Sequence, residues 1–545
     1  MPKLPGMKLL RLLFIFFPVF ASAQVNFISS NLPIVLINTN GQAIPQEPKI
    51  TAQMQVLDNG PGLRNYMTDT PKDYNGLIGI ERRGSTSDLF SDKKPYSVET
   101  RDLQGEDQDF PLLGMPKEAD WAFLAPYNDK SLVRDALMLE LAGRIMPWAP
   151  RTRFVELVLN GAYQGVYLVT EKIKRGKDRV DVRKLKATDL AGDSLTGGFI
   201  LKIDKTTGEV GSNWTSPYPP FPGAWQTTLW QVHYPKVENI QPQQRQYINT
   251  WINDFEATMA STAFADTATG YPKLLDVQSF IDFILLNEVA KNVDGYRLST
   301  FFWKDRDDKD PRLHAGPIWD FNIGLGNADY CGGESTANWA IDFNNICGGD
   351  SWVTQFWWQK LWRHQEFRHQ VKDRWAELRA GPLSNTEVLQ VMDSLTSLLY
   401  ESQSRNFQRW PVLNQYLWPN PFCCGSYFDH TSYLRNWLQN RLAWMDNTAK
   451  TLYVGEYDDQ KRFPTIVSPN PSNGELRFKM YLQYNDYVKV RIYNALGQHM
   501  TYLDYDPELN GENELNWTHS LRAGVYFYEV VINGKRESSG KFLVR

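Results

Sequence analysis

The chain has 545 residues, more than one compact domain holds, so two or three units are expected. A net charge of −4, with no basic stripe and no long acidic block, argues against nucleic acid as a partner and against a disordered charged tail. The 19 tryptophans fit large cores with rigid loops, and they also suit carbohydrate stacking, although a count by itself locates no platform.

Residues 1–23 read as a secretory signal. Lys8 and Arg11 flank an apolar run, Leu12 to Phe20, that is too short to span a bilayer. Ala21-Ser22-Ala23 then supplies a small-residue cleavage site, so the mature chain is expected to start near Gln24. No later segment has the length and purity of a transmembrane helix, so none is expected once the signal is removed. Leu32 to Ile37 predicts a buried strand. Ile50 to Leu57 alternates like a half-exposed one, and Asp58 to Gly62 reads as a turn. Strand signals continue at Leu77 to Arg82 and Tyr96 to Thr100. From Ser131 to Ile145 the apolar residues recur at helical spacing, with Asp129 or Ser131 as the cap. Phe154 to Leu159 and Gly165 to Thr170 form a hairpin pattern around Asn160-Gly161.

The Pro- and aromatic-rich stretch from Ser212 to Ala224 reads as a loop. Helical patterns follow at Pro242 to Met259 and Val277 to Val289. Leu298 to Lys304 and Leu313 to Trp319 predict two strands, joined by the charged run Asp305 to Asp310 as a solvated turn. Further helices are predicted over 353–380, 387–405 and 431–449. Composition shifts near Tyr457, and from Phe463 onward short alternating segments and turn clusters predict a small β-sandwich. The fold class is therefore α+β, with a β-rich N-terminal part and a helical C-terminal part, followed by a separate all-β unit.

Four cysteines, Cys331, Cys347, Cys423 and Cys424, are disulfide candidates in an exported chain, and they allow three pairings. A vicinal bridge is strained, so crossed pairs linking the 331–347 loop to the 423–424 turn are expected. Zinc and free thiols are the other readings, and the spacing matches no standard zinc motif.

Asp294, in Asn292-Val293-Asp294-Gly295, and Asp320, in Trp319-Asp320-Phe321-Asn322, each follow an apolar run and precede a turn, with the charged hairpin between them. One carboxylate that orients a nucleophile and another that holds a divalent cation on a phosphate have this layout. Small residues at Arg83-Gly84-Ser85-Thr86-Ser87 let backbone N–H groups approach phosphate oxygens. His233 and His314 are isolated and read as structural.

Several ordered motifs carry a resemblance to the CotH kinase family, atypical kinases related to spore coat protein H. They include Gly79-Ile80-Glu81-Arg82-Arg83-Gly84-Ser85, Leu159-Asn160-Gly161-Ala162-Tyr163-Gln164-Gly165 and Thr196-Gly197-Gly198-Phe199. Asn292-Val293-Asp294 and Trp319-Asp320-Phe321 complete the series. The resemblance covers about Leu32 to Asp446 and sets the expected kinase-like domain at 24–456. It implies a protein-kinase-like core, ATP as substrate, Mg2+ (or Mn2+) as cofactor, and a protein Ser/Thr acceptor whose identity is open. It implies Asp294 as the catalytic group, Asp320 and Asn322 as metal ligands, and Arg83, Gly84, Ser85, Lys93 or Lys94, Glu140 and Glu171 around the nucleotide. Asn322 stands where many relatives have aspartate. Ser299 stands where kinase catalytic loops have asparagine. A catalytically silent surface protein for adhesion or glycan binding is therefore the alternative.

Residues 463–545 resemble a type IX (Por) secretion sorting domain. The matching residues are Ser468-Pro469-Asn470-Pro471, Val490-Arg491-Ile492-Tyr493-Asn494-Ala495-Leu496-Gly497, Leu521-Arg522-Ala523-Gly524 and Lys541-Phe542-Leu543-Val544. This resemblance implies the type IX machinery as partner, a secreted or surface location reached through the periplasm, and a Bacteroidota-type source.

Overall fold

Seven strands close on themselves in the N-terminal third of the chain. The computed structural model describes residues 25–206, 213–452, 465–482, 486, 488–505, 511–532 and 535–545. The expected signal segment and the expected boundary between Tyr457 and Phe463 lie outside these residues. The barrel strands are β1 (Ile34–Asn38), β2 (Ile50–Leu57), β3 (Tyr74–Arg82), β4 (Tyr96–Arg101), β5 (Asp120–Leu124), β6 (Thr152–Leu159) and β7 (Ala162–Glu171). They run in the order β1-β2-β3-β4-β5-β7-β6. All pairs are antiparallel except β6 with β1, where Val35 faces Leu157 and the parallel pairing closes the sheet. Closure removes exposed strand edges. Alternation sends Ala52, Met54 and Val56 of β2 inward, to meet Ile78, Val98, Trp121 and Val169. At the β6–β7 hairpin both Asn160 (φ 49°) and Gly161 (φ 77°) are left-handed, the backbone that a two-residue turn between twisted strands requires.

Helix α1 (Arg134–Gly143) follows β5. Asp129 prepares its start by accepting from the N–H groups of Ser131 (3.0 Å) and Arg134 (2.8 Å). A second, antiparallel sheet contains β8 (Phe199–Ile203), β9 (Asn213–Thr215), β10 (Leu229–Tyr234), β11 (Thr300–Lys304) and β12 (Leu313–Ala315), in the order β9-β10-β8-β11-β12. It shares one core with α2 (Pro242–Ala260), α3 (Val277–Ala290), α4 (Phe356–Arg363), α5 (Gln365–Arg379), α6 (Asn385–Leu398), α7 (Ser402–Arg409) and α8 (Tyr427–Leu452). The tryptophans serve this core. Trp230 stacks on Trp357 at 6.1 Å, Trp357 meets Trp358 at 4.6 Å, and all three are fully buried.

Two predicted helices are each broken in two. The 353–380 pattern splits at His364, whose extended backbone (ψ 124°) caps α5 while its ring packs edge-on to Phe264 and Tyr271. The 387–405 pattern splits between α6 and α7, and α7 docks on the barrel instead of continuing α6. The strands expected over 298–304 and 313–319 are shorter, because Leu298, Ser299 and Gly316 to Trp319 belong to the turns that carry Asp294 and Asp320.

The C-terminal unit has two sheets. Strands β13 (Ile466–Ser468), β14 (Glu475–Leu482) and β17 (Gly511–Thr518) form one. Strands β16 (His499–Tyr505), β15 (Val488–Asn494), β18 (Gly524–Ile532) and β19 (Lys535–Val544) form the other. Leu476, Phe478 and Met480 share a core with Val490, Ile492 and Val530, as in a β-sandwich. Among the described residues no helix is long and apolar enough to cross a membrane.

The crossed disulfides expected from sequence are not formed. Cys331 pairs with Cys347 (Cα–Cα 5.6 Å), and Cys423 pairs with its neighbour Cys424. The short helix Phe343–Cys347 folds back onto the turn at Cys331, so the 331–347 segment closes on itself.

Candidate active site

Helix α3 delivers the first carboxylate. Its N-terminus is capped by Asp276, which accepts from Ser279 N–H at 2.9 Å, and Phe280 to Ala290 are all buried. The helix stops at Lys291, whose left-handed backbone (φ 42°) turns the chain into the loop 292–299. Asp294 N–H donates to Asn292 Oδ1 at 3.2 Å, and the Asp294 carboxylate is held by Arg297 at 2.8 Å. Tyr296, also left-handed (φ 68°), plunges into the core and donates to Glu288 Oε1 at 2.7 Å. Glu288 in turn pairs with Arg441 at 3.0 Å, and both are wholly buried. The loop is thus pinned from below while Asp294 stays partly open to solvent.

Asp320 follows β12 and has a left-handed backbone (φ 64°), a strained state for a non-glycine residue. The residue is exposed to solvent, yet the protein packed around its carboxylate partly desolvates it. This desolvation raises its pKa. The nearby charges of Asp294 and Asp204 add to the rise, and Arg83 and Lys205 oppose it. Asn292 donates to the Asp320 carbonyl at 3.4 Å, joining the two loops. Asn322 is half-buried two residues on, and its carbonyl accepts from Asn327.

The opposite wall comes from the barrel side. Arg83, just past β3, faces Asp320, Asp135 and Glu81, and its guanidinium lies 5.4 Å from the Trp319 ring. Gly84 has φ 91°, and Ser85 precedes the short helix Thr86–Phe90. Lys205, at the end of β8, donates to Thr86 Oγ1 at 3.1 Å and lies 5.3 Å from the Trp352 ring. Asp204 beside it accepts from the N–H groups of Lys205 and Ser299. Burial raises its pKa, Lys202 and these hydrogen bonds oppose the rise, and Asp294 adds to it. Asp135 of α1 accepts from Phe321 N–H at 2.7 Å, and burial, reinforced by Asp320, raises its pKa. Lys172 donates to Ser97 Oγ at 3.2 Å and carries its charge between Asp120 and Arg83. Burial lowers its pKa, and Asp120 partly restores it.

The structure therefore gathers Asp294, Asp320 and Arg83, with Asn322, Gly84 and Ser85 beside them. The other residues expected at the nucleotide lie elsewhere. Lys93 is buried and donates to Val166 O and Asn406 Oδ1 (2.9 Å), between the barrel and α7. Lys94 bonds the Asp88 carbonyl. Both precede β4, so strand alternation does not govern them. Glu140 is exposed and pairs with Arg144 at 3.2 Å. It lies five residues beyond Asp135, about 140° away around α1. Glu171 is fully buried between Arg151 (2.9 Å) and Arg179 (2.7 Å), inside the protein framework. His233 bonds Ile173 O at 2.7 Å, and His314 bonds Asp310 at 3.0 Å while stacking on Trp303. Asp135 and Lys205 carry no local sequence signal, because single charged residues on a helix or at a strand end are common. Lys172 adjoins Glu171, and Asp204 lies on the stretch that continues from Thr196-Gly197-Gly198-Phe199.

Residues 80–445 match the family model described as CotH kinase protein, and residues 467–545 match the secretion system C-terminal sorting domain. The first match takes in most of the chain, which belongs to the CotH kinase protein family. The second marks the protein for export by the type IX route to the cell surface or the medium. No curated protein matches the chain. Among solved structures, one match is to a Pseudomonas fluorescens alkylpurine DNA glycosylase, AlkC, bound to DNA containing an abasic site analog. That match has 17% identity and a TM-score of 0.13, and covers 35% of this chain and 56% of the other; a likeness this low supports no conclusion.

Proposed function

We propose that this is an exported atypical kinase that transfers the γ-phosphoryl group of ATP to a serine or threonine hydroxyl of a protein acceptor. The observation that carries the reading is the electrostatic grouping of Asp294, Asp320 and Asp204 with Arg83 and Lys205, with Asp320 exposed to solvent. Asp294 and Asp204 raise the pKa of Asp320, Asp294 raises that of Asp204, and a cation arriving among them would relieve that repulsion. Hard oxygen donors suit Mg2+ or Mn2+, with Asp320, Asn322 and Asp204 as the residues that would hold the ion. When bound, it would neutralise phosphate charge.

The chain's own groups supply the rest. Arg83 and Lys205, the cations beside Asp320, would meet the phosphates, with the Gly84 and Ser85 N–H groups as further donors. Asp294, steadied by Arg297, accepts the proton of the acceptor hydroxyl as it attacks. Arg83 and Lys205 counter the negative charge that spreads over the transferred group. Ser299 departs from the kinase pattern, but its N–H bonds the Asp204 carboxylate, which would serve as a ligand in place of the missing asparagine. The decisive experiment is incorporation of radiolabelled phosphate from γ-labelled ATP by the full chain, with Asp294→Ala alongside. Incorporation that Asp294→Ala leaves unchanged would refute the reading.

A further inference from the structure

Arg297 is the residue around which the Asp294 loop is assembled. Its Nε donates to Val293 O at 2.7 Å and its Nη2 pairs with Asp294 Oδ1 at 2.8 Å. The remaining nitrogen reaches Asp350 Oδ1 at 3.1 Å and Trp352 O at 3.0 Å, and the guanidinium lies 4.1 Å from the centre of the Phe343 ring. Arg297 itself is buried. A planar fork with all three nitrogens bonded and one face on a phenyl ring has one orientation, so it fixes where the Asp294 carboxylate stands.

The partners on the far side of Arg297 all come from one segment, which contains the Cys331–Cys347 bridge. Cys347 ends the short helix that begins at Phe343, and Asp350 N–H donates to the Cys347 carbonyl at 2.9 Å. Cys331 follows Tyr330, whose side chain lies among Asp294, Arg297 and Asp350. From Gly316 to Trp339 the chain forms no helix or strand, and the Cys331 end is held by isolated contacts such as Asp329 N–H to Pro419 O at 2.8 Å and Tyr330 stacked on Trp418. The bridge joins the two stretches that clasp Arg297 from either side.

We propose that Arg297 is a positioning residue for Asp294, and that the Cys331–Cys347 bridge makes its placement depend on oxidation. The site would then be completed only after the chain leaves a reducing compartment, in keeping with its sorting domain. In the oxidising step two thiols lose two protons and two electrons to form the S–S bond, while a protein or small-molecule disulfide takes them up and becomes two thiols. The catalytic half of this inference rests on the phosphoryl-transfer reading above; the structural half does not.

Two readouts on the full chain test it. Hydrogen exchange of the amides of residues 291–299 is compared in the native protein, Cys331→Ser/Cys347→Ser and the control Cys423→Ser/Cys424→Ser. Exchange there should quicken at least about 10-fold in the first variant and stay unchanged in the control, since local opening tracks lost constraint. If the first variant does not fold, mild reduction of the native chain gives the same comparison. In the transfer assay, the first variant and Arg297→Gln should lower kcat about 100-fold, the cost of a misplaced catalytic group, with KM for ATP within about 2-fold. Arg297→Lys should rescue little, because a lysine keeps the Asp294 pair but not the fork. Unaltered exchange, or equal kcat with the bridge broken, overturns the inference. A chain that transfers no phosphate in any form ends the kinase reading, and the exchange comparison then decides this inference alone.

Discussion

Lys93 is a lysine that folding should hold neutral, and replacing it with methionine tests this directly. The residue is 1% exposed, and burial lowers its pKa from 10.5 to about 7, with nearby Glu156 partly opposing the fall. The hydrogen bonding agrees: a neutral amine has two N–H donors, and Lys93 has two acceptors, Val166 O and Asn406 Oδ1. The Tyr167 ring, 4.9 Å away, favours the cation by about 2 kcal/mol, and desolvation still outweighs it. Below about pH 7 both the folded and the unfolded chain hold the proton. Between about pH 7 and 10.5 the unfolded chain holds it and the folded chain does not, so this residue makes stability rise with pH. The slope is about 1.4 kcal/mol per pH unit, or about 4 kcal/mol from pH 7 to pH 10. Other titrating groups contribute to the native protein and to Lys93→Met alike, so the difference between them isolates this slope. The assay is urea unfolding at several pH values, followed through the fluorescence of buried residues such as Trp121. The offset between the two proteins mixes lost hydrogen bonds with packing, but the slope does not. A difference that stays constant within about 0.5 kcal/mol over this range would show that Lys93 remains charged when folded and would refute the reasoning. Lys93→Met should also keep its affinity for Mg-ATP, because the side chain lies between the barrel and α7.

Asp294→Asn should bind Mg-ATP like the native chain and yet lose about 10²–10⁴-fold in transfer rate, measured by single-turnover phosphate incorporation. In a thermal-shift titration, ATP at about 100 times its Kd should stabilise the native chain by about 2.7 kcal/mol in the presence of Mg2+. Asp320→Asn should abolish the Mg2+-dependent part of that shift, and an unchanged shift would remove Asp320 from the metal set. Arg441→Met leaves Glu288 buried without its charge partner, so it should cost about 3–5 kcal/mol in denaturant unfolding. Because Glu288 also accepts from Tyr296, the same substitution should speed amide exchange in the Asp294 loop.

Much of the fold was legible because burial imposes period two on strands and about 3.6 on helices. Ile50 to Leu57 alternates and is a strand over that range, and Asn160-Gly161 predicts the hairpin turn that both residues adopt. Periodicity could not show that seven strands close into a barrel, since the closing pair joins β1 to β6 across more than a hundred residues. Nor could it show the break at His364, where rings from distant Phe264 and Tyr271, and no glycine or proline, stop one helix and start another.

The site divides along the same line. Asp294 and Asp320 were readable because each lies in a local motif after an apolar run. Their partners Asp135 and Lys205 are single charges on separate elements, and only the topology selects them. Lys93 and Glu171 show the converse: residue type and sequence neighbourhood suited a phosphate site, but burial against Asn406 in one case and between Arg151 and Arg179 in the other spends each charge on the framework. Within one framework, whether an ionic side chain is structural or functional thus follows from what remains unneutralised where solvent reaches. By that criterion Asp320 stands apart from Glu171 and Glu288: those two are wholly buried against arginines, whereas Asp320 is exposed and lies among the charges of Asp294 and Asp204 as well as those of Arg83 and Lys205. An anionic group in that state would gain most from a cation that arrives with its ligand, and for this reason the phosphoryl-transfer proposal rests on the carboxylate cluster more than on any single aspartate.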